Sequence, residues 1–294
     1  MNAIECKNLT HYYGKKLVYE NLSFNVEEGK ILGLLGKNGT GKSTTINILN
    51  GFLQPKSGEC LIYGENTQNL SPATKERIGF LIEGHVQYTF MNIHQIEKFY
   101  SWFYPKWNST PYWELMSKLK VTPGQKISTM SCGQRSQVAL GLILAQDPDL
   151  LILDDFSMGL DPGYRRLFID YLREYAKAEN KTIFVTSHII QDMERLIDDV
   201  LIMDYNRILA QQPIETFMKN FRQFNIRLSH HEAGFPSTDL AMNIERVKDT
   251  IEFYTYRDEN EIREFLKNSN IGYTSFEEKK MTLEDAFIGL TSKY

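Results

Sequence analysis

The chain is short of several things at once. Among its 294 residues it has 3 cysteines, Cys6, Cys60 and Cys132, and none falls in a CxxC or other metal-ligand spacing. That excludes a disulfide framework and a cysteine-built zinc site, and it favours a reducing, cytosolic setting. No apolar run approaches the roughly 18–20 residues of a membrane span, and the opening MNAIECKNLT has no signal-peptide core. The chain is therefore expected to be cytoplasmic, with any membrane role supplied through a partner. Charge of one sign is scarce too: the formal net charge is −4. Such a balance gives no global attraction for nucleic acid or anionic lipid, so no nucleic-acid partner is expected. Internal repeats and low-complexity tracts are absent.

What remains is the makeup of an ordinary globular protein, long enough for one large domain and a smaller one. Strand-like runs AIECKNLT, NLSFNV, KILGLLG and ECLIYG are separated by turn signals, with a helix-like KSTTINILNGF between the third and fourth. Residues 92–120 read as mostly helical and contain Trp102, Trp107 and Trp113. After Pro123 a helix over about 134–146, stopped by Asp147-Pro148, leads to a strand at 150–153. A helix over 162–178, strand TIFVTS, a short helix at 190–196 and strand DVLIMD complete a βαβ rhythm. That rhythm implies a parallel sheet whose ligands gather at the carboxyl ends of its strands. Past Pro213 the character changes. IRLSHH, TIEFYTY and IGYTSF read as strands, EIREFLKNS and LEDAFIGL as helices. The expected division is a domain over 1–218 and a small α/β domain over 219–294.

GKNGTGKST, residues 36–44, follows an apolar strand and precedes a helix. Its glycines allow a tight backbone whose successive N–H groups and helix N-terminus favour phosphate. Gly36, Lys37, Asn38, Gly39, Thr40, Gly41 and Thr44 would cradle a nucleotide. Lys42 would reach the β- and γ-phosphates and the Ser43 hydroxyl would ligate Mg²⁺. LLILDDF, residues 150–156, supplies the complement: a strand buried on both faces running into two carboxylates. Asp154 at its mouth is placed to hold Mg²⁺ in company with Ser43.

An N-K-x-D base-reading element is missing, NKTI at 180–183 lacking the Asp, which disfavours small GTPases. MSCGQ at 130–134, just before a helix, has no counterpart in nucleotide kinases or helicases. In this order and spacing, Tyr13-Gly14, the phosphate loop, MSCGQ, LLILDD, GLDP at 159–162 and His188 resemble the ATP-binding subunits of ABC transporters. The resemblance covers about residues 3–215. It implies a phosphate-loop NTPase core with a mostly parallel sheet, an N-terminal antiparallel β-subdomain, an inserted helical subdomain over about 85–147 and a small C-terminal α/β extension. It also implies ATP and Mg²⁺ as ligands. Tyr13, with Tyr12 as its rival, would stack on adenine; His188 would contact the γ-phosphate. Ser131, Gly133 and Gln134 would meet the γ-phosphate held by a second chain, so two chains must pair head to tail. Asp161 suits a helix N-cap before Pro162 and, in the family, the dimer interface.

Three positions depart from the family pattern. Asp155 stands where a Glu usually polarises the attacking water. The side chain is one methylene shorter, so slow hydrolysis is expected, and Asp155→Glu is expected to accelerate it. Cys132 replaces a glycine, which strains the backbone only if φ there is positive. Glu83 replaces the usual Gln of the loop before the helical subdomain, and would still serve as a catalytic and Mg²⁺-binding oxygen donor. In a homodimer both sites would carry Asp155 and Cys132 alike, and a homodimer is favoured. FYSWFYPKWNSTPYW at 99–113 is rich in aromatics, the residues that anchor interfaces. In the family this subdomain docks a membrane partner, which places Trp102, Trp107 and Glu83 near such a groove. The expectation is an ATPase powering an ABC exporter, held at the inner face of the cell membrane by a separate transmembrane permease. A soluble ABC-type ATPase and an ATP-binding switch stay open as alternatives. The tail resembles exporter-type extensions mainly in its ending TLEDAFIGLTSKY, with regulation, dimerisation and permease contact all open.

Overall fold

In the computed structural model, residues 1–81, 88–156, 160–229 and 240–292 are described. The chain opens with two long strands, β1 (Asn2–Tyr13) and β2 (Lys16–Glu27), and then β3 (Ile31–Gly36) leads into α1 (Lys42–Leu49). β4 (Ser57–Ile62), β5 (Glu65–Asn66) and α2 (Pro72–Glu76) precede β6 (Ile78–Leu81). Three helices follow: α3 (Ile93–Ser101), α4 (Ser109–Lys118) and α5 (Cys132–Ala145). Alternation resumes with β7 (Leu150–Leu153), α6 (Pro162–Ala178), β8 (Thr182–Thr186), α7 (Ile190–Leu196), β9 (Asp199–Asp204) and β10 (Arg207–Pro213). The remainder is α8 (Ile214–Asn220), β11 (Arg222–Leu228), β12 (Met242–Val247), β13 (Thr250–Thr255), α9 (Glu259–Asn268), β14 (Tyr273–Lys279) and α10 (Leu283–Thr291).

The chain is α/β and divides into two compact units, Met1–Gln211 and Gln212–Tyr294. The break precedes the boundary near 218 read from the sequence, because α8, which directly follows Pro213, belongs to the second unit.

The first unit holds two sheets. β2-β1-β4-β5 is antiparallel, and β10-β9-β3-β8-β7-β6 pairs in parallel across β9-β3-β8-β7-β6. The parallel strands are apolar at nearly every position because both faces are covered: Leu150–Leu153 and Thr182–Thr186 are buried throughout. Close approach of the covering helices requires small residues. A Cβ on Gly33 of β3 would lie 2.7 Å from Ile197, next to α7. Register matters most for function. Leu34 pairs with Thr186, Leu153 with Val185 and Gly36 with Met203, so the carboxyl ends of β3, β7, β8 and β9 reach one edge. The phosphate loop, Asp154-Asp155 and Ser187-His188 all leave the sheet there.

In the helical segment, α3 and α4 both pack against α5. The Trp107 indole N–H donates to Glu97 Oε1 at 2.8 Å, whereas Trp102 is 73% exposed. The second unit is a four-stranded antiparallel sheet, β12-β13-β11-β14. Alternation along β11 and β13 sends Phe224, Ile226, Leu228, Ile251 and Phe253 to one face, where they pack with Ile262 and Leu266 of α9.

Candidate functional site

The edge where these strands end carries a cleft of about 330 Å³. Its lining is Tyr13, Lys16, Val18, Asn38, Gly39, Gly41, Lys42, Ser43, Thr44, Asp154, Asp155, Thr186, Ser187 and His188. Four separate stretches of sequence therefore converge on one wall.

The loop between β3 and α1 takes its shape from two left-handed glycines, Gly39 at φ 84° and Gly41 at φ 105°. Gly41 also admits no side chain, because a Cβ would lie 2.8 Å from the Tyr19 ring. Thr40 fastens the turn by donating its hydroxyl to the Lys37 carbonyl at 2.9 Å. The Lys42 ammonium donates to the carbonyls of Gly36 at 2.7 Å and Lys37 at 3.1 Å. Burial pushes the Lys42 pKa down, opposed by the charges of Asp155 and Asp154. Gly36, Lys37 and Thr40 thus shape the loop, while Asn38, Gly39, Gly41, Lys42, Ser43 and Thr44 face the cleft.

Thr186, the last residue of β8, ties the two acids together. Its hydroxyl donates to Asp154 Oδ1 and accepts from the Asp155 N–H at 3.3 Å. Asp155 is buried and sits at φ +48°, a left-handed backbone that Asp tolerates far better than most side chains. His188 takes both carboxylate oxygens: its backbone N–H donates to Oδ1 at 2.9 Å, and its Nε2 lies 2.7 Å from Oδ2. The shorter acid therefore belongs to a shaped position with its partner in contact.

Of the two candidate tyrosines, Tyr13 lines the cleft. It leans on α1 through a 3.4 Å contact to Thr44 Oγ1 and meets the buried His11 ring edge-on, 4.9 Å between centroids. Ser131, Gly133 and Gln134 are not brought to the cleft. Ser131 is the N-cap of α5, accepting from the Gln134 N–H at 3.2 Å while Gln134 Oε1 accepts from the Ser131 N–H at 3.0 Å. Ser131 and Cys132 are exposed and Gly133 is buried. Cys132 is the first residue of α5, outside the positive-φ positions, so its Cβ costs no backbone strain. Asp161 holds the N-cap position of α6 but makes no side-chain capping bond, which corrects the simple capping reading. Glu83 and Gly159 lie outside the described residues.

Sequence reading missed Lys16, Val18, Thr186 and Ser187. Thr186 was findable, since it ends the strand beside LLILDD. Lys16 is set by the register of a hairpin, which composition does not reveal. Among the described residues no group of three or more His, Cys, Asp and Glu could hold a metal. Ser43 and Asp154 together offer hard oxygen donors in the same cleft, the donor type Mg²⁺ takes in company with nucleotide phosphate and water.

A family model described as ABC transporter matches residues 19–157. The chain is 31% identical over 224 residues to the bacitracin transport ATP-binding protein BcrA of Bacillus licheniformis, covering 75% of this chain and 73% of that one. It is 32% identical over 214 residues to the Nod factor export ATP-binding protein I of Burkholderia orbicola (strain AU 1054), covering 71% and 70%. A dimeric post-hydrolysis structure of the ATP-binding cassette MJ0796 bound to ADP and Pi shares the fold, with TM-score 0.62 and 21% identity. It spans 72% of this chain and 98% of that one. Among the described residues no helix is long and apolar enough to cross a membrane.

Proposed function

The chain belongs to the ABC transporter family as an ATP-binding subunit with an ATPase domain, and from that premise we propose that it powers an exporter. Its likeness to a Nod factor export protein supports that direction, and its likeness to a bacitracin transport protein supports a transport role. ATP closes two such chains head to tail, hydrolysis reopens them, and a separate transmembrane permease converts the motion into transport. The chain then works in the cytoplasm at the inner face of the membrane. The exposed Trp102 and the aromatics around it suit the permease contact.

Within the cleft, Tyr13 stacks on adenine and the loop from Gly36 to Thr44 wraps the phosphates, with Lys42 toward the β- and γ-phosphates. Ser43 and Asp154, with Glu83, would hold Mg²⁺, which would supply positive charge against the phosphates when bound. Asp155 polarises the attacking water, oriented by His188, which also meets the γ-phosphate. Both Asp155 oxygens are already engaged by His188, which supports slow turnover. Ser131 Oγ accepts a bond from Gln134 N–H and so keeps its own proton for a phosphate oxygen of the other chain.

The observation that carries this reading is the division of the site. One chain gathers the phosphate loop, both acids and His188 in a single cleft, while its exposed Ser131-Cys132 helix start lies elsewhere. Two measurements test it. With Asp155→Asn to suppress hydrolysis, ATP should convert monomer to dimer in light scattering, and Ser131→Arg should abolish the dimer. Affinity purification from solubilised membranes should recover a multispanning permease. ATP binding without dimerisation, or recovery of ribosomal or nucleic-acid partners instead, would overturn it.

A further inference from the structure

We propose that Lys16 is a nucleotide ligand, its ammonium pairing with the α-phosphate; this rests on the reading that the cleft binds ATP. Lys16 opens β2 and is the direct cross-strand partner of Tyr13, across a two-residue hairpin turn whose first residue, Gly14, sits at φ +60°. Side chains directly opposite on neighbouring strands share a face, with Cβ atoms about 5 Å apart. The hairpin therefore fixes Lys16 beside Tyr13, and both line the cleft. A base stacked on Tyr13 leaves its sugar and first phosphate within reach of a four-carbon side chain on the facing strand. Lys42, by contrast, belongs with Ser43, Asp154 and Asp155 at the distal-phosphate end.

Charge points the same way. The lining carries two lysines, Lys16 and Lys42, and two aspartates, Asp154 and Asp155. Without Lys16 the two acids outnumber the one lysine, and that lysine is fastened to the Gly36 and Lys37 carbonyls. A polyphosphate entering such a wall gains from a second cation at its proximal end. Lys16 is exposed and forms no ion pair with an acid among the described residues. Lys15, next in the turn, does not line the cleft and serves as a control.

The test is titration of the full chain with fluorescent ATP and ADP analogues at low and high salt, for wild type, Lys16→Met, Lys16→Arg and Lys15→Met. Lys16→Met should weaken ATP and ADP by the same factor, about fivefold at low salt, and flatten the salt dependence. Lys16→Arg and Lys15→Met should stay near wild type. Losses below twofold for both nucleotides would remove Lys16 as a ligand. A loss confined to ATP would move the contact to the γ-phosphate and refute the α-phosphate assignment. Equal losses with an unchanged salt slope would make the effect packing against Tyr13, which also refutes it. Failure of wild type to bind either nucleotide would instead sink the cleft reading itself.

Discussion

Asp155→Glu separates two lines of reasoning about the same residue. Side-chain reach alone expects the longer acid to restore a family-like base and to speed hydrolysis. The structure argues the opposite. Asp155 is buried, its backbone sits at φ +48°, and each carboxylate oxygen already touches His188, at 2.9 Å and 2.7 Å. An added methylene cannot keep both of these contacts at their present distances. It must push the carboxylate past His188 or shift the backbone, and overpacking of this kind costs about 1–3 kcal/mol. A displacement near 1 Å at a reacting group costs on the order of a hundredfold in rate. The expected result is a fall in steady-state phosphate release of about ten- to a hundredfold, equivalent to roughly 1.4–2.7 kcal/mol in barrier. ATP affinity should change less than about twofold, since Lys42 and the loop are untouched, and urea melts should show about 1 kcal/mol of destabilisation. A rise in turnover at unchanged affinity would refute the packing argument and reinstate reach as the controlling quantity.

Thr186→Val leaves the Asp155 N–H without its acceptor and Asp154 without its donor, costing about 1–3 kcal/mol of stability. Phosphate release should fall at least about tenfold while ATP binding persists, since Lys42 and the loop are unaltered. Ser131→Ala removes half of the α5 capping box and should lower stability by about 1 kcal/mol in urea melts. It should also abolish ATP-driven dimerisation, which Ser131→Thr preserves. Burial, and then the charge of Lys56, hold the His11 pKa below its ordinary 6.5. The unfolded chain therefore takes up a proton first, so the His11 contribution is complete above pH 6.5 and is lost as pH falls below it. His11→Phe should flatten melting temperature against pH in that range while keeping a ring edge against Tyr13.

Apolar runs and punctuation made much of the fold legible. KILGLLG, LLILDD, TIFVTS and DVLIMD are unbroken because buried parallel strands need no polar face, and each is a central strand. β6, β10 and β12 went unread for a shared reason. Ile78–Leu81 is a four-residue strand with an internal glycine, and Arg207–Pro213 and Met242–Val247 are sheet-edge strands with polar residues where alternation would be sought. β1 continues past AIECKNLT to Tyr13, since pairing with β2, and not its own composition, carries it through His11 and Tyr12. In the cleft, the loop and the paired acids were readable because spacing encodes them. Lys16 depends on hairpin register, and the φ of Asp155 depends on how β7 leaves the sheet. Neither is a property of a local string.

Helix α5 has a mechanical consequence. Its 14 residues form a rod of about 21 Å, with Ser131 at one end and, four residues beyond the other, the strand that delivers Asp154 and Asp155. That short link is braced on both sides: Lys181 Nζ lies 2.6 Å from Asp147, and Arg77 Nε 2.6 Å from Asp149. In the head-to-tail pair proposed above, α5 would run from the neighbour's nucleotide to the amino end of β7, and β7 carries on to the chain's own carboxylates. On that proposal, whatever displaces Ser131 at the neighbour's phosphate would be transmitted to the chain's own carboxylates, and the two ATP sites would turn over as a linked pair. Loosening the brace, with α5 intact, should uncouple them.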